Sequence, residues 1–381
     1  MGLTFVADAR VNGLLPLTYT LGPQDSRVGI LTLSQKWNLL WRRQEATLSV
    51  NSRLIPNDDL LLAAISISQD KGLRQGETDL VWKGQAECVE WTQWDGEAEF
   101  IAYPEDIFLK NGSQIRKDMG WLLEAGGELA LPTWTQRVNP DPHTAVYCPD
   151  QVFVHPSAIV RSAVLDASEG PIWIGESAEI MPGSMIKGPV AIGEHSTIKM
   201  GAKIYGDSTV GPYCKVGGEV SNSVFHSYSN KGHDGFMGNS VIGRWCNWGA
   251  DTNNSNLKNN YEQVKLWDIA SGSFRNTGLT FCGLIMGDHS KCGINTMFNT
   301  GTVVGVGANI FGGGFVRQFI PSFAWGGAHG METFRFDKFA QTAEKAMQRR
   351  GLVLSDVERD FLQSIYEATA VHRTWEKNSG H

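Results

Sequence analysis

His233 stands in the run Asn230-Lys231-Gly232-His233-Asp234-Gly235, between two glycines that let its backbone come close to a bound molecule. An imidazole with an ordinary pKa of about 6.5 accepts a proton at neutral pH, so His233 is a candidate general base. Downstream, Ala250-Asp251-Thr252-Asn253-Asn254-Ser255-Asn256-Leu257-Lys258-Asn259-Asn260-Tyr261 is dense in side-chain amides, which both donate and accept hydrogen bonds. Asparagine also tolerates turn geometry, so each of these residues taken alone reads equally as a turn residue.

Both stretches lie where a strict repeat breaks. Ile174, Ile180, Ile186, Ile192, Ile198, Ile204, Val210 and Val216 stand six apart, and small or polar residues separate them. Val154 and Val160 begin the series, and it resumes at Phe236, Ile242 and Trp248, then at Met286, Cys292, Phe298, Val304, Ile310 and Val316. Such a period sets the architecture of a chain. Six suits neither an amphipathic helix nor an alternating strand. It predicts a coil with three short flat faces, about eighteen residues per turn, and one aliphatic side chain per face pointing into a narrow bore. Coils of this kind stack in one dimension and share a continuous core. A repeat broken between Val216 and Phe236, and again between Trp248 and Met286, must extrude loops, and loops on a rigid scaffold commonly carry binding and catalysis.

The remainder of the 381 residues fits around that coil. Residues 1–148 lack the period and read as a small α/β domain. Strands are expected near Leu3–Val6 and Thr47–Val50, and helices near Ser34–Arg43 and Asp58–Ile65. The run Asn139-Pro140-Asp141-Pro142 marks a linker, because proline cannot donate to a ladder and restricts the residue before it. Residues 149–326 are the coil. Residues 327–381 are helical, with Asp337 as a cap, Gly351 as a stop and Ser355-Asp356-Val357-Glu358 as a capping box. No apolar run is long enough for a membrane span, and the first ten residues lack the segments of a signal peptide, so a cytoplasmic protein is expected. A net charge of −7 without a basic tract argues against nucleic acid as a partner. The six cysteines show no metal-site spacing and are expected as reduced, mostly buried thiols.

At these residues the chain resembles the hexapeptide-repeat acyltransferases, which have a left-handed parallel β-helix. Among them it is most similar to the bifunctional UDP-N-acetylglucosamine diphosphorylase/glucosamine-1-phosphate N-acetyltransferases, in a shorter-headed sugar nucleotidyltransferase variant. The resemblance lays Lys231-Gly232-His233 on Ala-Gly-His, which puts His233 in the place of the catalytic base. It lays Cys246-Asn247-Trp248-Gly249-Ala250 on Val-Asn-Ile-Gly-Ala, which implies that Asn247 contacts the acceptor sugar. Gly249 and Ala250 then lie at the acetyl-CoA site. Asn256 falls on a second acceptor-site asparagine, and Phe236 replaces an acceptor-site tyrosine. The resemblance also implies a homotrimer with the pantetheine in a groove between coils. Gly305 and Ala308 are small enough to admit that thin ligand, although corner packing explains them equally well.

Departures from the pattern bear on the acceptor. Ser221 stands where a phosphate-binding lysine is expected, and a phosphate-binding arginine falls near Gly217. Lys215, Lys231 and Lys265 are the cations available to compensate. In the head, a single glycine follows the first strand, where a Gly-rich phosphate cradle is expected. Arg53 stands where a Mg²⁺-binding aspartate is expected, and a guanidinium cannot hold Mg²⁺. Mg²⁺ is therefore expected only if the head is active.

The leading reading is an acetyl-CoA-dependent N-acyltransferase acting on an amino sugar phosphate or sugar nucleotide. The alternatives are a sugar-1-phosphate nucleotidyltransferase using the coil as a trimer scaffold, and a non-catalytic module that binds a sugar nucleotide. A metal-dependent hydratase fits less well, because His226, His233 and His289 lack a close pair on adjacent coils. No metal site is expected.

Overall fold

The structure, a computed structural model, describes residues 2–378. Its middle is the three-faced coil that the period demands. One face is a nine-stranded sheet whose inward residues include Ile174, Ile192 and Val210, in direct parallel register and eighteen residues apart. The second face runs through Ile159–Val160, Glu179–Ile180, Thr197–Ile198, Lys215–Val216, Asn230–Lys231, Asn247–Trp248, Lys291–Cys292 and Asn309–Ile310. The third runs through Ala145–Tyr147, Val164–Asp166, Met185–Lys187, Lys203–Ile204, Glu219–Ser221 and Phe236–Gly238. Strands of two or three residues suffice, because each pairs with the coil above and below and leaves its corner to turn residues. The aliphatic column from Val154 to Ile320 forms one buried cluster along the axis. The first rung, Ala145–Tyr147, lies just ahead of the expected boundary at 149.

The register departs from expectation at the first break. Val216 pairs with Lys231 rather than with an apolar residue, and Val220 pairs with Met237. Met237 therefore points inward, and Phe236 lies one position off, half-buried on the outside. The two corners after Val216 are shortened: the inward residues Val216, Val220 and Phe225 stand four and five apart instead of six, so Phe225 pairs with Val210 after fifteen residues instead of eighteen. Counting sixes forward from Val216 cannot see this loss. The second break is a true insertion. Ile242 pairs with Met286, forty-four residues on, and the extra chain forms a hairpin of Lys265–Asp268 with Ser273–Asn276.

The head is a mixed sheet. β1 (Leu3–Val6) lies parallel to β2 (Leu48–Asn51), β3 (Leu54–Ile55) pairs with Glu99–Phe100 outside that sheet, and β4 (Lys71–Gln75), β5 (Thr78–Trp82) and β6 (Glu90–Gln93) complete the order β1-β2-β5-β4-β6. Helices α1 (Leu33–Trp41) and α2 (Asp58–Ser66) fall where expected. Helix α3 (Pro104–Ala125) was not foreseen, and it binds head to coil. Asn111 on α3 donates to Asp207 O and Thr209 Oγ1, while Asp118 accepts the N–H groups of Ile30 and Leu31 and pairs with Lys36 in full burial.

After the last rung come α4 (Phe336–Gln348) and α5 (Asp356–Ala368). The expected capping box of Ser355 and Glu358 is present, and Gly351 adopts a left-handed backbone after α4. Asp337 is not the cap of α4. Arg335 holds that position, with Asp337 in the first turn and paired to it. Both helices lay an apolar stripe (Phe339, Ala343, Leu362, Ile365) on Val306 and Phe323 of the coil.

Candidate functional site

The corner that follows Asn230–Lys231 carries His233. It joins the second face to the third, and the backbone there leaves the regular ladder. Gly217 N–H donates to Lys231 O one coil earlier, and Gly249 N–H donates to Cys292 O one coil later. Between them, the N–H groups of Gly232, His233, Asp234 and Gly235 have no partner among the described residues. Gly235 is required by space as well as by conformation. Its φ is +119°, and a Cβ there would come within 2.2 Å of Thr252 O. His233 is exposed and precedes Asp234, whose carbonyl oxygen accepts the N–H of Asp251 at 3.0 Å.

Lys231 faces the other way. Its side chain lies in the bore, 2% exposed, between Val216 and Trp248 of the neighbouring rungs. Nζ donates to the carbonyl oxygens of Gly217 and His233, each at 3.0 Å. Burial drives its pKa down to about 8, and Asp234 and Asp251 oppose that fall. Two of the ammonium's three N–H groups are spent on main chain, and the buried side chain is not presented on the outer surface, contrary to the expectation for Lys231.

The remaining candidates separate by face. Asn247 is exposed and points outward on the second face, between Asn230 and Lys291 in register. Phe236 N–H donates to Asn253 Oδ1 at 2.7 Å. Asn256 is half-buried, and its Nδ2 donates to Asn239 Oδ1 at 2.8 Å. Gly249 and Ala250 form the corner next to that of His233. The N–H of Gly249 is committed to Cys292 O, whereas that of Ala250 has no partner among the described residues. Lys265 is exposed on the extruded hairpin, whose Val264 and Leu266 pack with Val241, Ile285 and Val303 on the nine-stranded face. The structure therefore does not bring Lys265 to the corner of His233. Gly305 and Ala308 are buried at a later corner. A Cβ on Gly305 would meet Ser322, and Ala308 N–H donates to Ser290 Oγ. Corner packing accounts for both.

The other two histidines named with His233 are structural. His226 Nδ1 accepts the N–H of Arg27, and burial pushes the ring pKa down to about 3. His289 is buried too, and its pKa lies well below the usual histidine range for the same reason. No group of three His, Cys, Asp or Glu side chains suited to a metal occurs among the described residues. The six cysteines are free, four of them buried.

In the head, Arg53, which stands where a Mg²⁺-binding aspartate is expected, is joined to Asp8, just past the first strand. Asp8 receives Arg53 Nε at 2.9 Å and Nη2 at 2.6 Å, along with Asn51 Nδ2 at 3.0 Å, while Arg53 Nη1 donates to Ile101 O. Burial pulls the Asp8 pKa upward, but these hydrogen bonds outweigh it and hold the carboxyl below its usual range. Asp8 also caps the short 3₁₀ segment Ala9–Leu14, which stands where a glycine-rich cradle was sought. The residues present do not fit Mg²⁺.

Sequence reasoning missed Asp251 and the tail residues Arg349 and Arg350. Asp251 was visible only as part of an amide-rich run. Nothing in the sequence shows that Arg350 reaches Asn230, with Nη2 at 3.0 Å from Oδ1, because that contact comes from docking a helix 120 residues away.

No curated protein matches the sequence. Among solved structures, the chain is similar to the polysialic-acid-specific acetyltransferase NeuO at 15% identity and a TM-score of 0.29, over 48% of this chain and 87% of that one. It is similar to a mutant of AntD, an N-acyltransferase from Bacillus cereus in complex with dTDP and coenzyme A, at 13% identity and a TM-score of 0.25, over 54% and 90%. A UDP-N-acetylglucosamine acyltransferase of Arabidopsis gives 15% identity and a TM-score of 0.24, over 57% and 78%. At these TM-scores the likeness carries no argument about chemistry. Residues 171–206 match the family model described as bacterial transferase hexapeptide (six repeats), and those residues are the uninterrupted rungs that lead up to the corner of His233.

Proposed function

We propose that the protein is an acyl-CoA-dependent N-acyltransferase, with acetyl-CoA as cosubstrate and an amino sugar phosphate or sugar nucleotide as acceptor. The observation that carries this reading is the exposed imidazole of His233 on a corner whose main-chain N–H groups are unspent. The acceptor amine must lose a proton to attack a thioester, and His233 takes it. The new C–N bond forms as the carbonyl oxygen gains charge, and unpaired N–H groups such as that of Ala250 suit that oxygen. The C–S bond then breaks, and the imidazolium returns its proton to the departing thiolate. Asn247, on the adjacent rung, is placed to orient the acceptor. A homotrimer and a cytoplasmic location belong to the same proposal. Exposed Ile294, Met297, Phe311 and Phe315 on the late coils supply an apolar surface for subunit contact.

The Asp8–Arg53 pair speaks against the nucleotidyltransferase alternative, so the head is assigned no pyrophosphorylase activity. The test is coenzyme A release from acetyl-CoA with glucosamine 1-phosphate or a UDP-amino sugar. His233→Ala is expected to lower kcat by at least about a hundredfold with the fold intact. A variant that acetylates at the wild-type rate removes His233 from the chemistry.

A further inference from the structure

The resemblance left the anion-binding positions empty of cations, and the structure takes Lys231 and Lys265 out of contention. A different set of cations converges on the same side of the coil. Lys215 points outward on the second face and is in register with Asn230 on the next rung, so the two stand about 4.8 Å apart. Arg350, just past the end of α4, binds the Asn230 side chain. Lys199 lies one coil earlier at the corner, where a Cβ on Gly217 would sit 3.1 Å from its own Cβ and also against Gly232 O. His233 follows Gly232 directly. Arg349, the residue before Arg350 and the C-cap of α4, lies near enough to Lys215 to lower its pKa.

None of Lys199, Lys215, Arg349 and Arg350 forms an ion pair among the described residues, although neighbouring Lys203 is paired with Glu219. Their mutual repulsion is recorded on Lys215, whose pKa falls through burial first and then through Arg350, Lys199 and Arg349. The C-terminal end of α4 contributes about half a negative charge, and no carboxylate is among the groups that act on Lys215. Like charges gathered in one place repel, and a bound anion relieves that repulsion.

We propose that Lys199, Lys215, Arg349 and Arg350 form a phosphate-binding site built jointly by the coil and the C-terminal helix, and that it holds the phosphate of a small ligand whose other end reaches His233. The second half of the statement rests on the acyltransferase reading, and the first half does not. Phosphate is favoured over a carboxylate because several donors from different directions match its three or more oxygens, and arginine adds a planar fork. The phosphate can belong to the acceptor or to coenzyme A, whose adenosine carries a 3′-phosphate.

The test is calorimetric binding of glucosamine 1-phosphate, glucosamine, coenzyme A and 3′-dephospho-coenzyme A to wild type, to a Lys199→Ala/Lys215→Ala double variant and to Arg350→Ala. Lys215 is exposed and Lys199 half-exposed, and their removal relieves repulsion, so the double variant is expected to fold with an unfolding midpoint at or above that of wild type. At least one phosphate-bearing probe should lose about tenfold or more in affinity in both variants, and its binding should weaken with salt. A loss confined to glucosamine 1-phosphate, with glucosamine unchanged, assigns the site to the acceptor. A loss for coenzyme A but not for its 3′-dephospho form assigns it to the acyl carrier. Unchanged affinities for every probe, or no binding by wild type at millimolar concentration, overturns the site. If His233→Ala keeps full turnover while the cation variants lose binding, the base assignment falls and the phosphate site stands.

Discussion

Lys231 is the residue whose placement has the clearest consequence. Its pKa falls from an ordinary 10.5 to about 8. Below pH 8 the folded and unfolded chains both hold the proton, and the whole cost of burying the charge is present. Between about pH 8 and 10.5 the folded chain has released the proton and the unfolded chain keeps it, so stability rises with pH across that window by up to the order of 3 kcal/mol. Denaturant unfolding of wild type and Lys231→Met near both ends of the window measures this. The variant should lack the rise, and equal slopes would place the lysine elsewhere. The residue scale also shows what sequence can convey. His233 was legible because it sits where a period fails and between glycines. Lys231 was misread because the two corners after Val216 together lose three residues, which brings Lys231 to an inward position, and nothing local announces such a loss.

At the scale of elements, the rungs were legible because their apolar residues recur at a fixed interval, and burial of that column is the only way to satisfy it. The corners were not, because their constraints come from the coil next door. Gly211 and Gly201 make the contrast testable. A Cβ on Gly211 would stand 1.8 Å from His226 O, whereas one on Gly201 meets nothing within 4 Å and faces only a φ of +70°. Gly211→Ala should cost about 3 kcal/mol or more through overpacking, and Gly201→Ala about 1 kcal/mol through its left-handed backbone. Equal losses in thermal unfolding would contradict the packing account. Helix α3 carried readable signals, with Pro104 at its start, Ile107, Phe108, Ile115, Met119 and Leu122 along one side, and Gly126 at its end. What could not be read is that this side covers both the head and the coil. Ser355, by contrast, announced its helix, and Ser355→Ala should destabilise α5 by about 1 kcal/mol, visible as faster amide exchange over 356–362.

At the scale of the whole molecule, head and coil share a core. Leu14, Leu17, Val28, Ile107 and Phe108 of the head are packed in one cluster with Val224, Val241, Ile285 and Val303 of the coil. The buried pair of Lys36 and Asp118 sits beside that junction and ties α1 to α3. Asp118→Asn leaves a buried ammonium without its counter-charge, and a loss of about 3–5 kcal/mol is expected. Calorimetry of wild type should show one transition, since neither part can open without exposing the shared cluster. A separate head transition would refute this. The coil itself has a looser grammar. Ile242 meets Met286 across forty-four residues with the register of the next rungs intact. A winding whose neighbours in space are always the adjacent turns can accept new chain at any bend without disturbing the turns beyond it. Such a scaffold can acquire new specificities by splicing extra segments into its bends, leaving its inherited frame untouched.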